Sequence, residues 1–280
     1  MIFYKIQSID AKLLQQWSQG DSFPYVVHSR FTHAINYVNQ QNDMITFLTR
    51  GLPNAPKSMI IDVDEFNEWP IEEGEHLQHQ SDQLLLSNIG ISIGQAVAWS
   101  MDLPSIQTVD VELLEAMQHF LDSHQTSLFE MEQMIYDRLD EYFFELISAA
   151  MLGDYEMVTT YARKSIGLGL GLTPSGDDRL VGFLLGCYIY SPMNTGLYLA
   201  LKTAIEESQE NTNEISYAML NAAKHGEFNE WLLTLANVIG MQDSQNLSSA
   251  LTNVFSIGSR SGGDMIKGLL LFLTHCPFKN

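Results

Sequence analysis

Basic residues are scarce in this 280-residue chain: 14 lysines and arginines stand against 34 aspartates and glutamates, a formal charge of −20. Such a chain repels phosphate backbones and anionic lipid, which argues against nucleic acid or a membrane surface as a partner. Cysteine is nearly missing too. Cys187 and Cys276 are too few for a disulfide framework or a cysteine-built metal site, and they read as reduced thiols, Cys187 inside an apolar run. The longest apolar run, residues 180–190, is too short to cross a bilayer, and residues 1–12 lack the basic end and apolar stretch of a signal peptide. The expectation is a cytoplasmic protein. What the chain does have is apolar content, 45% of its residues, enough to bury a large core in one big domain or two unequal ones.

The pattern changes near residue 105. Before it, short runs rich in β-branched and aromatic residues are separated by turn signals: 23–28, 34–38, 44–48, 58–63, 84–86 and 89–99. These predict strands of an antiparallel sheet or small barrel. Asn42-Asp43 reads as a tight connection, 51–56 as a loop, and the acidic stretch 62–75 as a solvated excursion. After residue 105 the period is helical, over 109–123, 128–152, 155–165, 177–190, 195–208, 214–224, 228–239, 245–255 and 263–275. The fold class is therefore α+β, with a β-rich part (1–104) followed by a helical part (105–280), and Pro104 marks the boundary.

One short phrase occurs twice in the helical part. Ser175-Gly-Asp-Asp-Arg-Leu-Val-Gly-Phe-Leu-Leu185 returns as Ser261-Gly-Gly-Asp-Met-Ile-Lys-Gly-Leu-Leu-Leu271. Two copies of Ser-Gly-x-Asp ahead of apolar helical runs predict two helices with matching starts, able to converge on one site. The first copy follows a glycine-rich loop, 166–178, in which glycines allow several N–H groups to point at one ligand while a helix N-terminus adds partial positive charge. It is no nucleotide signature: Leu172 stands where a dinucleotide loop needs its third glycine, and no Gly-Lys-Ser/Thr follows. The competing structural account takes Ser175 with Asp178, and Ser261 with Asp264, as capping-box-like pairs, and Gly182, Gly186 and Gly268 as places where two helices approach closely.

In the functional account Asp177, Asp178 and Asp264 carry the chemistry, while Gly169, Gly171, Thr173, Ser175, Gly176, Arg260, Ser261 and Gly262 bind a small anion. Aspartates beside an anion need compensation. Arg163, Lys164, Arg179 and Arg260 lie near the motifs and supply one route; a hard cation such as Mg2+ on the three aspartates supplies another. Lys267 reads as a surface residue. His28 and Ser29, neighbours on a strand, should point to opposite faces. His76 and His79 read as solvated, His225 as a helix end, Asn36 and Asn54 as turn or edge residues, and Leu13, Trp17 and Tyr142-Phe143-Phe144 as core.

The stretch Gly169-Leu-Gly-Leu-Thr-Pro-Ser-Gly-Asp-Asp178 resembles the signature of the AllH family of bacterial proteins. Further segments fall in the family's order: Val27-His-Ser29, Ala34-Ile-Asn36, the 51–56 turn, Thr212-Asn-Glu-Ile-Ser216, Ala222-Ala-Lys-His-Gly226 and Ser261-Gly-Gly-Asp264 with Gly268. Leu170 replaces a proline common in that loop, and Asn213 replaces a second threonine. The family's named member is a subunit of oxamate carbamoyltransferase, a three-component enzyme of purine (allantoin) breakdown. The resemblance implies transfer of a carbamoyl group between oxalurate plus phosphate and oxamate plus carbamoyl phosphate, with companion subunits, and with phosphate, carbamoyl phosphate or an oxamate-like acid as ligand. The alternative is a non-catalytic anion-binding or assembly subunit.

Overall fold

The computed structural model describes residues 2–18, 24–80, 82–124, 129–190 and 193–275. They form two compact units, Met1–Met101 and Asp102–Asn280.

The first unit is a barrel. Its strands are β1 (Ile2–Asp10), β2 (Tyr25–Arg30), β3 (Ala34–Val38), β4 (Met44–Thr49), β5 (Ser58–Ile61), β6 (His76–Gln80), β7 (Gln83–Leu86), β8 (Ile89–Ser92) and β9 (Val97–Trp99), with helix α1 (Ala11–Ser18) after β1. The sheet runs β5-β4-β3-β2-β6-β7-β8-β1, and pairing of β5 with β1 closes the ring at eight strands. On its other edge β1 pairs β8 with its first half and β9 with its second. Alternation builds the interior: Ile35 lies opposite Phe47, Phe47 opposite Met59, and Tyr37 opposite Ile45, all fully buried as a period of two demands.

Several details differ from the sequence reading. Residues 89–99 form two strands, not one. The acidic stretch 62–75 is no mere excursion, for Phe66, Trp69 and Ile71 return to the core. His76 and His79 lie on β6; His76 is exposed as expected, while His79 is half-buried with its ring 5.4 Å from that of Trp17. A bulge between Val27 and Ser29 cancels the alternation that would separate His28 from Ser29, so His28 Nδ1 comes 3.0 Å from Ser29 Oγ. Asn36 is buried, not a turn or edge residue: it donates to Ser29 Oγ and accepts from Thr46 Oγ1. The strand expected from residue 23, the helix expected from residue 128, and Cys276 begin or lie outside the described residues.

The second unit is helical: α2 (Val111–Ser123), α3 (Glu130–Leu152), α4 (Tyr155–Ser165), α5 (Ser175–Ile189), α6 (Thr195–Glu206), α7 (Glu214–Lys224), α8 (Glu230–Gly240), α9 (Ser244–Phe255) and α10 (Ser261–His275). Side chains of Asp154, Asn194, Asn213, Asn229 and Asp243 accept early backbone N–H groups of α4, α6, α7, α8 and α9, ordinary N-capping. Helix α5 is different. It is buried on every side, as befits a helix apolar all round, and packs against α10, α4, α6, α7 and α8. Of the aromatic run on α3, Phe143 is core and Phe144 is exposed. No described helix is long and apolar enough to cross a membrane.

Candidate functional site

The repeated phrase becomes a reciprocal helix crossing. A Cβ on Gly182 would stand 1.8 Å from the Met265 carbonyl oxygen, and one on Gly268 would stand 2.0 Å from that of Arg179. Arg179 and Met265 are the fifth residues of the two copies and Gly182 and Gly268 the eighth, so each copy meets the other in the same way. Gly186, further along α5, faces Phe272 on α10. The contacts advance together along both helices, which therefore run parallel with their N-termini at one end. Thr173 Oγ1 and Ser261 Oγ, 2.7 Å apart, join those two starts.

The capping box expected at the start of α5 does not form. Residue 174, not 175, is the N-cap of α5, and no side chain caps it. The Ser175 hydroxyl instead donates to Tyr136 Oη, 3.2 Å away. The second position of each motif is glycine for packing: a Cβ on Gly176 would meet the Ser165 carbonyl oxygen, and one on Gly262 that of Val254, each at 1.9 Å. Their amides are taken by the carbonyls of Leu168 and Ile257.

A cavity of about 370 Å³ opens at the two helix starts. Its walls are the loop residues 170–173, Ser175 and Asp178 of α5, residues 258–261 ahead of and opening α10, and Glu132, Ile135 and Tyr136 of α3. Of the predicted set, Gly171, Thr173, Ser175, Asp178, Arg260 and Ser261 thus come together. Gly169, Gly176, Gly262, Asp177 and Asp264 are not among the lining residues. Among the described residues no backbone carbonyl accepts from the N–H groups of residues 170–173, whereas those of Asp177 and Asp178 go to the Pro174 carbonyl. Gly169, with φ of +148°, folds the loop so tightly that its Cβ would sit 2.2 Å from the Ser175 nitrogen, a conformation only glycine tolerates.

The three aspartates have separate fates. Asp177 accepts from the Gly167 N–H at 2.7 Å, Thr212 Oγ1 at 2.5 Å and Ser216 Oγ at 2.6 Å, tying the glycine loop to the start of α7. Asn213 reinforces that tie by donating to the Leu172 carbonyl. Asp264 accepts from Tyr136 Oη at 2.8 Å and from Arg179 Nε at 3.3 Å; burial raises its pKa while Arg179 and Tyr136 pull the other way. Asp178 is 1% exposed, and neither carboxyl oxygen makes a hydrogen bond of ordinary geometry among the described residues, although the Ser261 and Thr173 hydroxyls lie close enough to act on it. Burial pushes its pKa up to about 8, helped by the nearby Asp264 charge and opposed by the Ser261 and Thr173 hydroxyls. No group of three His, Cys, Asp or Glu side chains among the described residues is placed to hold a metal ion.

Basic side chains divide likewise. Arg260 holds Glu132 through Nη2 at 3.1 Å and keeps a buried Nη1 without a hydrogen-bond partner among the described residues. Arg179, 0% exposed, pairs with Asp264 and with Asp140 at 2.5 Å, its guanidinium over the Tyr136 ring. Lys267 is no simple surface lysine, since its Nζ lies 2.6 Å from Asp140. Burial works against ionisation of Asp140, but Arg179 and Lys267 outweigh it and its pKa falls. Arg163 pairs with Glu207, and Lys164 stacks on Tyr161. Sequence reading missed Tyr136 and Glu132, which reach the site from a helix distant in the chain and carry no motif.

The raised pKa of Asp178 sets a pH dependence. Between the ordinary carboxylate value near 4 and about 8, the folded chain holds a proton that the unfolded chain has released. Stability therefore falls as pH rises through that window, by up to about 1.4 kcal/mol per pH unit. Asp178→Asn, neutral throughout, should flatten the decline in melting temperature between pH 5 and 8 in thermal scans; an unchanged slope would refute the assignment.

Residues 165–273 match the family profile of oxamate carbamoyltransferase subunit AllH, and residues 5–100 match that of the AllH family N-terminal domain. The chain belongs to the AllH family. The two matches take in the barrel and, in the helical unit, the glycine loop and both copies of the repeated phrase. The family is named for a subunit, which points to companion subunits. No solved structure matches the chain.

Proposed function

We propose that this AllH-family chain binds the small anionic substrate of an oxamate carbamoyltransferase. The complete reaction would interconvert oxalurate plus phosphate with oxamate plus carbamoyl phosphate in allantoin breakdown. What supports this reading is that loop residues 170–173, whose N–H groups meet no backbone carbonyl among the described residues, two parallel helix starts and Arg260 all line one cavity. Parallel helices add their positive ends, and an arginine fork suits phosphate or carboxylate.

In the reaction a phosphate oxygen attacks the ureido carbon of oxalurate, the bond from that carbon to the oxamate nitrogen breaks, and the nitrogen takes up the proton that phosphate gives. The demand is for placement of two anions and for donors to the carbamoyl oxygen as charge develops there. Amides of residues 170–173 are suited to the second task and Arg260 to the first. Companion subunits would complete the site. A non-catalytic binding subunit is the second reading, favoured by the charged lining: Glu132, Asp178 and Arg260, with Glu132 already engaged by Arg260.

Titration calorimetry of the full chain with inorganic phosphate, carbamoyl phosphate and oxamate, with and without magnesium, tests the proposal. At least one of these anions should bind, and Arg260→Ala should weaken it about 10- to 100-fold, the worth of a charged hydrogen bond. Absence of binding by all three would defeat it. Turnover by the chain alone, against turnover only with its companions, separates the two readings.

A further inference from the structure

We infer that the Asp178 carboxyl recognises a primary amide, pairing with the amide end of a ligand whose other end is anionic. The inference rests on the anion-site reading of the same cavity and adds which end of the ligand lies where.

The cavity is lined by two kinds of group. Residues 170–173, whose N–H groups meet no backbone carbonyl among the described residues, and the Arg260 Nη1 offer donors. Asp178 offers two buried carboxyl oxygens with no hydrogen bond of ordinary geometry among the described residues. Left so, such a group costs about 1–3 kcal/mol, a cost that a ligand in the cavity can relieve. An anion alone would be the wrong partner. A planar amide is the right one, because a neutral carboxyl has one O–H donor and one carbonyl acceptor, matching the C=O and N–H of a primary amide in a two-bond ring.

The surroundings favour the neutral form. The charges of Asp264 on α10 and Asp177 on its own helix act against ionisation of Asp178, and Glu132 and Tyr136 of α3 line the same cavity. The guanidinium groups of Arg179 and Arg260 are already engaged, by Asp264 with Asp140 and by Glu132. Burial is the main cause of the upward shift. Ionised, the same carboxylate would keep only the N–H contact and would repel the anionic end. Oxamate and carbamoyl phosphate both carry an amide next to an anion, so either can meet both kinds of group.

The test uses two pairs of near-isosteric probes in which a methyl replaces the amide nitrogen: oxamate against pyruvate, and carbamoyl phosphate against acetyl phosphate. By calorimetry at pH 7 the full chain should prefer the amide in at least one pair by about 10- to 100-fold, the cost of leaving a buried polar group unpaired. Asp178→Ala should bring that ratio close to one. Asp178→Asn presents the same donor and acceptor, so it should keep the preference and remove the weakening of binding expected above pH 8. Equal binding of amide and methyl probes in both pairs, or an unchanged ratio in Asp178→Ala, overturns the inference while leaving the anion site standing. Failure of every probe and of inorganic phosphate to bind overturns both.

Discussion

Gly182→Ala is expected to lower the melting temperature by roughly 10 °C, and Gly268→Ala by a similar amount. Each added methyl would meet a backbone carbonyl oxygen of the facing helix, at 1.8 and 2.0 Å. Neither oxygen belongs to a side chain that can swing aside, so α5 and α10 must separate along their whole crossing. Overpacking costs about 1–3 kcal/mol where neighbours yield and more where they cannot. At about 2–4 °C per kcal/mol for a chain of this size, a cost near 3 kcal/mol gives the stated shift. Because the first methyl already widens the crossing, the double variant should lose less than the sum of the two. Scanning calorimetry decides it: a fall below about 2 °C for either variant means that the helices do not meet as described.

Asp264→Ala should cost about 3–5 kcal/mol in urea unfolding, the penalty for stranding a buried charge. The charge is Arg179, wholly buried, whose Nη2 already lacks a partner among the described residues. Without Asp264 its only remaining counterion in the pair network would be the half-exposed Asp140, which it shares with Lys267. Adding Arg179→Met to Asp264→Ala should recover much of the loss, because removing both charges removes the desolvation cost, and Lys267 still satisfies Asp140. A single-variant cost under about 1 kcal/mol would show that the pair does not hold the helix starts in place.

Architecture was legible because periodicity is written locally. Strand residues such as Ile35, Tyr37, Ile45 and Phe47 alternate, helical stretches keep their longer period, and the repeated phrase announces two matched helix starts. What escaped was set by partners distant in the chain. Tyr136 and Glu132 belong to an amphipathic helix with no motif, and only the folded chain brings them to Asp264 and Arg260. Gly176 and Gly262 looked like ligand-facing glycines because their spacing cannot tell a nearby ligand from a nearby backbone. Three aspartates of one type in like contexts divided into a loop tie, an ion-pair partner and an unpartnered acid, a division made by hydroxyls of Thr212, Ser216 and Tyr136. The bulge at His28 was hidden for another reason: one extra residue in a strand leaves no compositional trace.

Both long edges of the N-terminal sheet are consumed in its own closure, since β1 takes β5 on one side and β8 and β9 on the other. Three-residue β9 is too short to template an incoming strand of ordinary length. Among the described residues this leaves little edge for another polypeptide to join by strand addition. A neighbour would instead read outer side chains and turns, a mode of recognition that sequence change can retune one residue at a time without disturbing the hydrogen-bonded ring beneath.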